Sequence, residues 1–284
     1  LVLFFKKELL PSMTGLPPLR EVIAEFRLDA RRKLGQHFLL DENLTAKIAR
    51  QAGNLTGRHV IEVGPGPGGL TRALLETAAA AVVAVEIDPR AAEATRALAQ
   101  VRPRLRLVEA DALATDLTQF VPAPRQIVAN LPYNVATPLL VGWLRQAAAW
   151  ERMTLMFQWE VAERMTAAVD SEAYGRLSVL VQWICETSLL MRIPAGAFTP
   201  PPKVFSAVVG LIPRQDQPSP LLFSAMERVT AAAFGQRRKM LRGSLRALGG
   251  DALLERAFIA GERRAETLSV DEFVRLADIV KESG

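Results

Sequence analysis

The side chains best placed for chemistry gather around one stretch, Ile127-Val128-Ala129-Asn130-Leu131-Pro132-Tyr133-Asn134. Three apolar residues read as the end of a buried strand, and an amide, Asn130, arrives where that strand stops. Pro132 cannot continue a central ladder, and it biases Leu131 toward extended geometry. The carbonyls of Asn130 and Leu131 are therefore expected to stay outside sheet pairing. Tyr133 adds a flat ring. A side-chain amide, free backbone acceptors and a ring at one strand end suit a planar base that bears an amino group. The set holds no good nucleophile and no strong base.

The elements that must position this stretch follow a regular rhythm. His59 to Val63 reads as a buried parallel strand. The turn Gly64-Pro65-Gly66-Pro67-Gly68-Gly69 leads from it into a helix, Leu70 to about Ala78. Such a glycine turn lets a ligand approach the backbone where side chains would clash. Val82 to Glu86 is the next strand, ending in a carboxylate of the kind that grips ribose hydroxyls. Asp88-Pro89 caps and opens a helix over 89–100. Leu105 to Glu109 is the third strand, followed by Asp111. Gly64, Glu86, Asp111 and Asn130 thus fall at the carboxyl ends of four successive strands. That is where open, doubly wound α/β sheets bind their ligands.

Gly64-x-Gly66-x-x-Gly69 also fits a nicotinamide dinucleotide fingerprint. Prolines in both gaps, the acid Glu62 two residues before the turn, and further polar ends at Asp111 and Asn130 argue instead for S-adenosylmethionine. Its ribose would pair with Glu86, its adenine amino group with Asp111, and its methionine part with the backbone near Gly64.

Farther on, Asp41 caps a helix running to about Gln51. Thr137-Pro138 is expected to open a helix from Leu139 to about Ala148. Strands are expected at Met153–Phe157, Leu189–Ile193 and Val204–Ile212. Three prolines in Phe198-Thr199-Pro200-Pro201-Pro202-Lys203 stiffen a loop that holds Phe198 in place. Pro213 to Pro220 reads as a linker, and the remainder is helical. Ser269-Val270-Asp271-Glu272 is a capping box, with Leu268 and Phe273 as its staple. A helix over Lys239–Ala247 would set Arg238, Arg242 and Arg246 on one face.

Of 284 residues, half are hydrophobic, enough for one large domain and a small one. The net charge of +5 leans toward a polyanionic partner. A single cysteine, Cys185, precludes an intrachain disulfide and fits a cytoplasmic setting. With only His37 and His59 beside it, a dedicated zinc site is not expected. No apolar run is long enough to span a bilayer. Residues 1–12 read as an upstream extension preceding a plainer start at Met13.

Five segments carry a resemblance: Lys33 to Leu39, Glu62 to Gly66, Asn130 to Asn134, Phe198 to Val204, and Gln236 to Lys239. In this order they resemble the rRNA adenine N6,N6-dimethyltransferases, and within that family the bacterial branch acting on 16S rRNA. The resemblance implies a Rossmann-like class I methyltransferase fold, α/β with a seven-stranded mainly parallel sheet, plus a small all-α C-terminal domain. It divides the chain into an N-terminal extension (1–32), a methyltransferase domain (33–213) and a helical RNA-binding domain (214–284). It implies S-adenosylmethionine contacts at His37, Leu39, Gly64, Glu86, Asp111 and Asn130, with S-adenosylhomocysteine as product. The substrate implied is a pair of adjacent adenosines in the hairpin loop near the 3′ end of 16S rRNA, within a 30S or pre-30S particle. No metal or membrane is implied, and a monomer is the default. The macrolide-resistance 23S rRNA enzymes share the fold, but the segment from Gln236 looks less like theirs. A non-catalytic assembly factor and a DNA adenine methyltransferase are the other readings. Two positions depart from the family pattern: His37 stands where Asn is common, and Trp159 where Lys is expected.

On this reading the catalytic set is Asn130, Leu131, Tyr133 and Phe198. The target adenine would leave its stack and lie between Tyr133 and Phe198. The Asn130 oxygen and the Leu131 carbonyl would accept from its amino group. Arg237, Arg238, Lys239 and Arg242 would hold the RNA backbone.

Overall fold

A computed structural model describes residues 15–28, 36–236 and 238–282. In chain order the elements are α1 (Leu19–Glu25), β1 (Phe38–Leu39), α2 (Glu42–Gln51), β2 (His59–Val63), α3 (Gly69–Leu75), β3 (Ala81–Glu86), α4 (Pro89–Val101), β4 (Leu105–Glu109) and β5 (Arg125–Asn130). There follow α5 (Tyr133–Leu144), β6 (Arg152–Gln158), α6 (Trp159–Thr166), α7 (Arg176–Ile184), β7 (Cys185–Ile193), β8 (Phe198–Thr199) and β9 (Ser206–Pro213). The chain closes with α8 (Pro220–Gly235), α9 (Leu241–Ser244), α10 (Gly250–Arg256) and α11 (Val270–Glu282). The suspected extension at residues 1–12, the basic run Arg31-Arg32-Lys33 and Arg237 lie outside the described residues.

Seven strands form one sheet in the order β4-β3-β2-β5-β6-β9-β7. β2 to β6 are parallel, and β9 runs antiparallel to both β6 and β7. From β2 the chain winds outward through β3 and β4, then returns to lay β5 on the other flank of β2. The order therefore reverses between β2 and β5. Helices leave in opposite directions there and open a crevice above the carboxyl ends of the strands. Both faces of the sheet are covered. Val60, Val82, Val128, Met156 and Val208 face one apolar cluster, while Ile61, Val83, Ile127, Leu155 and Val209 face the other. That two-sided burial is why the strands read as unbroken apolar runs.

The helix starts follow local chemistry. The Asp41 carboxylate accepts from Asn43 N and Leu44 N, and Asp88 accepts from Arg90 N with Pro89 in the first turn. Elsewhere tertiary structure overrides the sequence reading. α5 begins at Tyr133, not at Leu139, and Pro138 sits inside it. The Pro132 carbonyl accepts from Val135 N and Ala136 N and so nucleates the helix six residues early. Pro138 deprives only the Asn134 carbonyl of its helical partner, and Asn134 is exposed, so water can replace it. α3 stops at Leu75, because the Thr77 hydroxyl takes the Leu74 carbonyl at 2.6 Å. β7 starts four residues earlier than expected and carries a bulge between Leu189 and Met191.

The expected helix over Lys239–Ala247 is broken into the four-residue α9 and a 3₁₀ turn at Arg246–Leu248. The amides of Leu241 and Arg242 bond the Arg263 and Gly261 carbonyls, which sets the register from outside the segment. Gly243 then weakens any longer helix by about 1 kcal/mol. Arg238, Arg242 and Arg246 therefore do not share one helical face. The helices α8 to α11 have no core of their own: Phe223, Val229, Phe273 and Leu276 belong to the same apolar cluster as Ile127 and Leu155.

The capping box at α11 is reciprocal. Ser269 N donates to Glu272 Oε2 at 2.8 Å, and Glu272 N donates to Ser269 Oγ at 3.2 Å, above the buried pair Leu268 and Phe273. Ser269→Ala removes one half of this exchange. It is expected to lower the unfolding free energy by about 1 kcal/mol, read from the midpoint of a urea titration.

Candidate functional site

A cavity of about 280 Å³ opens where the strand order reverses. His37, Leu39, Gly64, Glu86, Asp111, Asn130, Leu131 and Tyr133 all line it; Phe198 does not. Main-chain geometry builds its floor. Gly64, Gly66 and Gly68 have φ of +71°, +54° and +89°, a region that side-chain-bearing residues rarely adopt. The turn is also pressed from above by β1. A Cβ on Gly66 would lie 3.1 Å from the Phe38 ring, and one on Gly69 would lie 2.5 Å from the Leu39 carbonyl. Bare glycine backbone is what lets Leu39 reach the cavity.

Two carboxylates sit under the turn. Glu86 Oε1 accepts from Ile87 N at 2.9 Å and Asp88 N at 2.8 Å, while Oε2 lies 3.4 Å from Gly66 N. Burial nevertheless holds its pKa above the ordinary carboxylate value. Glu62, in β2, is 2 % exposed, and one of its carboxyl oxygens has no hydrogen-bond partner. Burial pushes its pKa up to about 8, and the nearby Glu86 adds to the shift. Asp111 lies at the rim, where its carboxylate accepts from Leu113 N at 2.8 Å.

Asn130 ends β5. The ladder carries it opposite Met156, so the strand runs through Asn130 itself. Only Leu131 lies past the last pair. Proline acts on the residue immediately before it, and the ladder simply closes one residue earlier. The Asn130 side chain donates from Nδ2 to the His37 carbonyl at 3.1 Å. A carbonyl can only accept, so this bond fixes which end of the amide is nitrogen. Oδ1 is thereby left as an oriented acceptor.

Tyr133 follows on the first turn of α5. Its hydroxyl hydrogen-bonds Ser206 Oγ at 2.5 Å, tying the ring to β9. The His37 ring lies 5.2 Å from the Tyr133 ring, tilted by 32°, and 6.3 Å from Phe198 in an edge-on arrangement. His37 Nδ1 lies 2.7 Å from the Pro200 carbonyl, so that nitrogen carries the proton of the contact. Phe198 is 3 % exposed and pairs through β8 with Leu39. It thus stands behind His37 instead of facing the cavity. The β1–β8 pair that puts it there joins two-residue strands remote in sequence, which no local pattern announces.

Arg238, Lys239 and Arg242 are exposed beyond α8, and Arg242 pairs with Glu262 at 3.1 Å. Glu62, Ile87 and Leu113 are among the cavity residues that escaped the sequence reading as site residues. Glu62 had a signal, an acid two residues before a glycine turn. Ile87 and Leu113 line the cavity while 68 % and 50 % exposed. Their signal was an apolar residue directly after or two after a strand-end acid. They flank Glu86 and Asp111 as apolar walls for a flat ring.

This donor set fits an adenosyl sulfonium. A buried carboxylate at Glu86 suits a diol, the acceptor at Asp111 suits an amino group, and Glu62, with one buried oxygen unpartnered, also lines the cavity. Among the described residues no group of three or more His, Cys, Asp or Glu is placed to hold a metal ion.

Comparison with known proteins points the same way. A family model described as ribosomal RNA adenine dimethylase matches residues 27–282. The ribosomal RNA small subunit methyltransferase A of Gluconobacter oxydans is 63 % identical over 266 residues, covering 93 % of this chain and 88 % of that protein. Its counterpart in Paramagnetospirillum magneticum is 57 % identical over 267 residues, covering 93 % and 95 %. A crystal structure of a dimethyladenosine transferase from Plasmodium falciparum superposes with a TM-score of 0.71 at 28 % identity, covering 84 % of this chain and 96 % of that one.

The raised pKa of Glu62 has a stability consequence. The unfolded chain ionises this carboxyl near 4.5, whereas the folded chain keeps it protonated to about 8. Folding stability is therefore lost as pH rises through that window. Glu62→Gln removes the loss, so the ligand-free variant is expected to gain on the wild type steadily from pH 5 to pH 8 in urea unfolding. Parallel pH profiles for the two proteins would contradict the assignment.

Proposed function

The chain belongs to the ribosomal RNA adenine dimethylase family, and from that premise we propose how its site works: S-adenosylmethionine-dependent N6,N6-dimethylation of two adjacent adenosines in the 3′-terminal hairpin loop of 16S rRNA. The substrate is the RNA within a 30S or pre-30S particle, and the enzyme acts as a monomer. Among the described residues no helix is long and apolar enough to cross a membrane.

S-adenosylmethionine, when bound, supplies a methyl group already activated on sulfur. Glu86 would hold its ribose hydroxyls, Asp111 its adenine amino group, and the Gly64 backbone with His37 and Leu39 its methionine part. The difficulty lies with the acceptor. The N6 lone pair of adenine is delocalised into the ring, so N6 is a poor nucleophile. Asn130 Oδ1 and the Leu131 carbonyl accept the N6 hydrogens and aim the nitrogen at the methyl group. Positive charge develops on N6 as it is methylated, and both contacts strengthen with it. Stabilisation is then greater in the transition state than in the bound substrate, which is the condition for raising turnover. The target base stacks on Tyr133, whose face adds a cation–π term. Phe198 contributes by holding His37, and through it the carbonyl that orients Asn130. The released proton passes to water. Each methyl added returns S-adenosylhomocysteine, and a second cycle completes the dimethyl group. Arg237, Arg238, Lys239 and Arg242 would grip the RNA backbone; Arg238 and Arg242 do so from separate segments and not from one helical stripe.

The observation that carries this reading is the Asn130 Nδ2 bond to the His37 carbonyl, which leaves the amide oxygen as a fixed acceptor beside the Leu131 carbonyl. Asn130→Ala is expected to lower turnover roughly 10²–10³-fold, by analogy with a lost oxyanion-hole donor. The assay follows labelled methyl transfer to 30S particles lacking the modification and maps the label within the RNA. Label on N6 of two neighbouring adenosines supports the proposal. Label elsewhere, or near-normal turnover in the variant, refutes it.

A further inference from the structure

Arg192, at the end of β7, is an exposed cation, and its guanidinium makes no hydrogen bond or ion pair among the described residues. Two rings hold it instead. Its Cζ lies 4.6 Å from the Trp159 ring centroid and 4.0 Å from that of Phe205. The rings are themselves tied together, since Trp159 N donates to the Phe205 carbonyl at 2.9 Å. Phe205 remains 43 % exposed.

Stacking has a particular consequence for arginine. A guanidinium that lies on ring faces keeps its five N–H donors free in its own plane. The group is therefore held in orientation while its donors stay unused. A lysine ammonium at the same place would have neither the flat face nor the fixed fork. A planar donor fork at the surface with no protein acceptor matches a phosphate with bidentate geometry.

The position in the fold says which phosphate. Gln158 and Ile193 both lie opposite Ser206 in the sheet, and Ser206 Oγ bonds the Tyr133 hydroxyl. Trp159, Arg192 and Phe205 are the chain neighbours of these three residues. The cluster therefore sits at the same end of the sheet as Ser206 and Tyr133, with Arg192 alternating to the face opposite Ser206.

We propose that Arg192, clamped by Trp159 and Phe205, binds a backbone phosphate of the RNA substrate beside the target nucleotide. The assignment rests on the dimethylase reading but is tested separately from it. Arg192→Gln and Arg192→Lys are compared with the wild type in binding a 16S hairpin RNA across a salt series, and in steady-state methylation of 30S particles. Arg192→Gln is expected to flatten the slope of log K against log salt by about one contact and to raise KM for the particle several-fold, with kcat nearly unchanged. Arg192→Lys is expected to regain the slope but not the affinity, because charge returns without the fork. Wild-type slope and KM in Arg192→Gln would overturn the assignment, as would Arg192→Lys matching Arg192→Gln in slope. A wild-type protein that leaves the RNA unmethylated would refute the dimethylase reading itself.

Discussion

One hydrogen bond decides what the crevice can do, the one from Asn130 Nδ2 to the His37 carbonyl. An asparagine amide has two nearly isosteric ends, one donating and one accepting, and a free side chain would present either. Bonding the nitrogen to a carbonyl removes that ambiguity. The carbonyl in turn is held by its surroundings. His37 is anchored through Nδ1 to the Pro200 carbonyl and rests against Tyr133 and Phe198, while the next two residues pair with β8. A short two-stranded ribbon outside the main sheet thus orients the residue that ends a central strand within it.

Close packing around the glycine turn serves the same end. β1 can lie against the turn only because Gly66 and Gly69 carry no side chain there. The turn then brings backbone to the ligand side while Glu62 and Glu86 sit beneath it. Two buried carboxyls in proximity are costly as charges, which is why burial raises both pKa values. Glu86 is compensated by main-chain amides, whereas Glu62 retains an oxygen without a partner. A protein carrying such a group stores an unfavourable term at the site, a common mark of a binding position.

The aromatic groups divide into three roles. Tyr133 is half-buried and tied at its hydroxyl, so its ring is rigid yet reachable from the cavity. Phe198 is buried and acts through what it supports. Phe205 is exposed, Trp159 is partly buried against the main apolar cluster, and both contact the Arg192 guanidinium. All four lie near the carboxyl edge of the sheet, the edge on which the crevice opens. The C-terminal helices join this assembly through the apolar cluster they share with β5 and β6. Their basic residues are therefore carried on the same packed body as the crevice.

The sequence by itself determined the features that arise from neighbours along the chain. The parallel sheet follows from apolar runs alternating with amphipathic helices, and the caps at Asp41, Asp88 and Ser269 follow from side chains that reach amides two or three residues on. The acids at strand ends were legible for the same reason. Tertiary structure alone decided the rest. It placed Phe198 behind His37, because β1 and β8 are too short to announce themselves and their pairing spans most of the chain. It broke the helix that would have aligned Arg238, Arg242 and Arg246, because the Gly261 and Arg263 carbonyls captured its first amides. It also brought Arg192 over Trp159, a contact between strands and helix ends that periodicity does not encode. Local propensity reads along the chain, whereas these outcomes depend on which distant groups arrive first at an unsatisfied donor, acceptor or ring face.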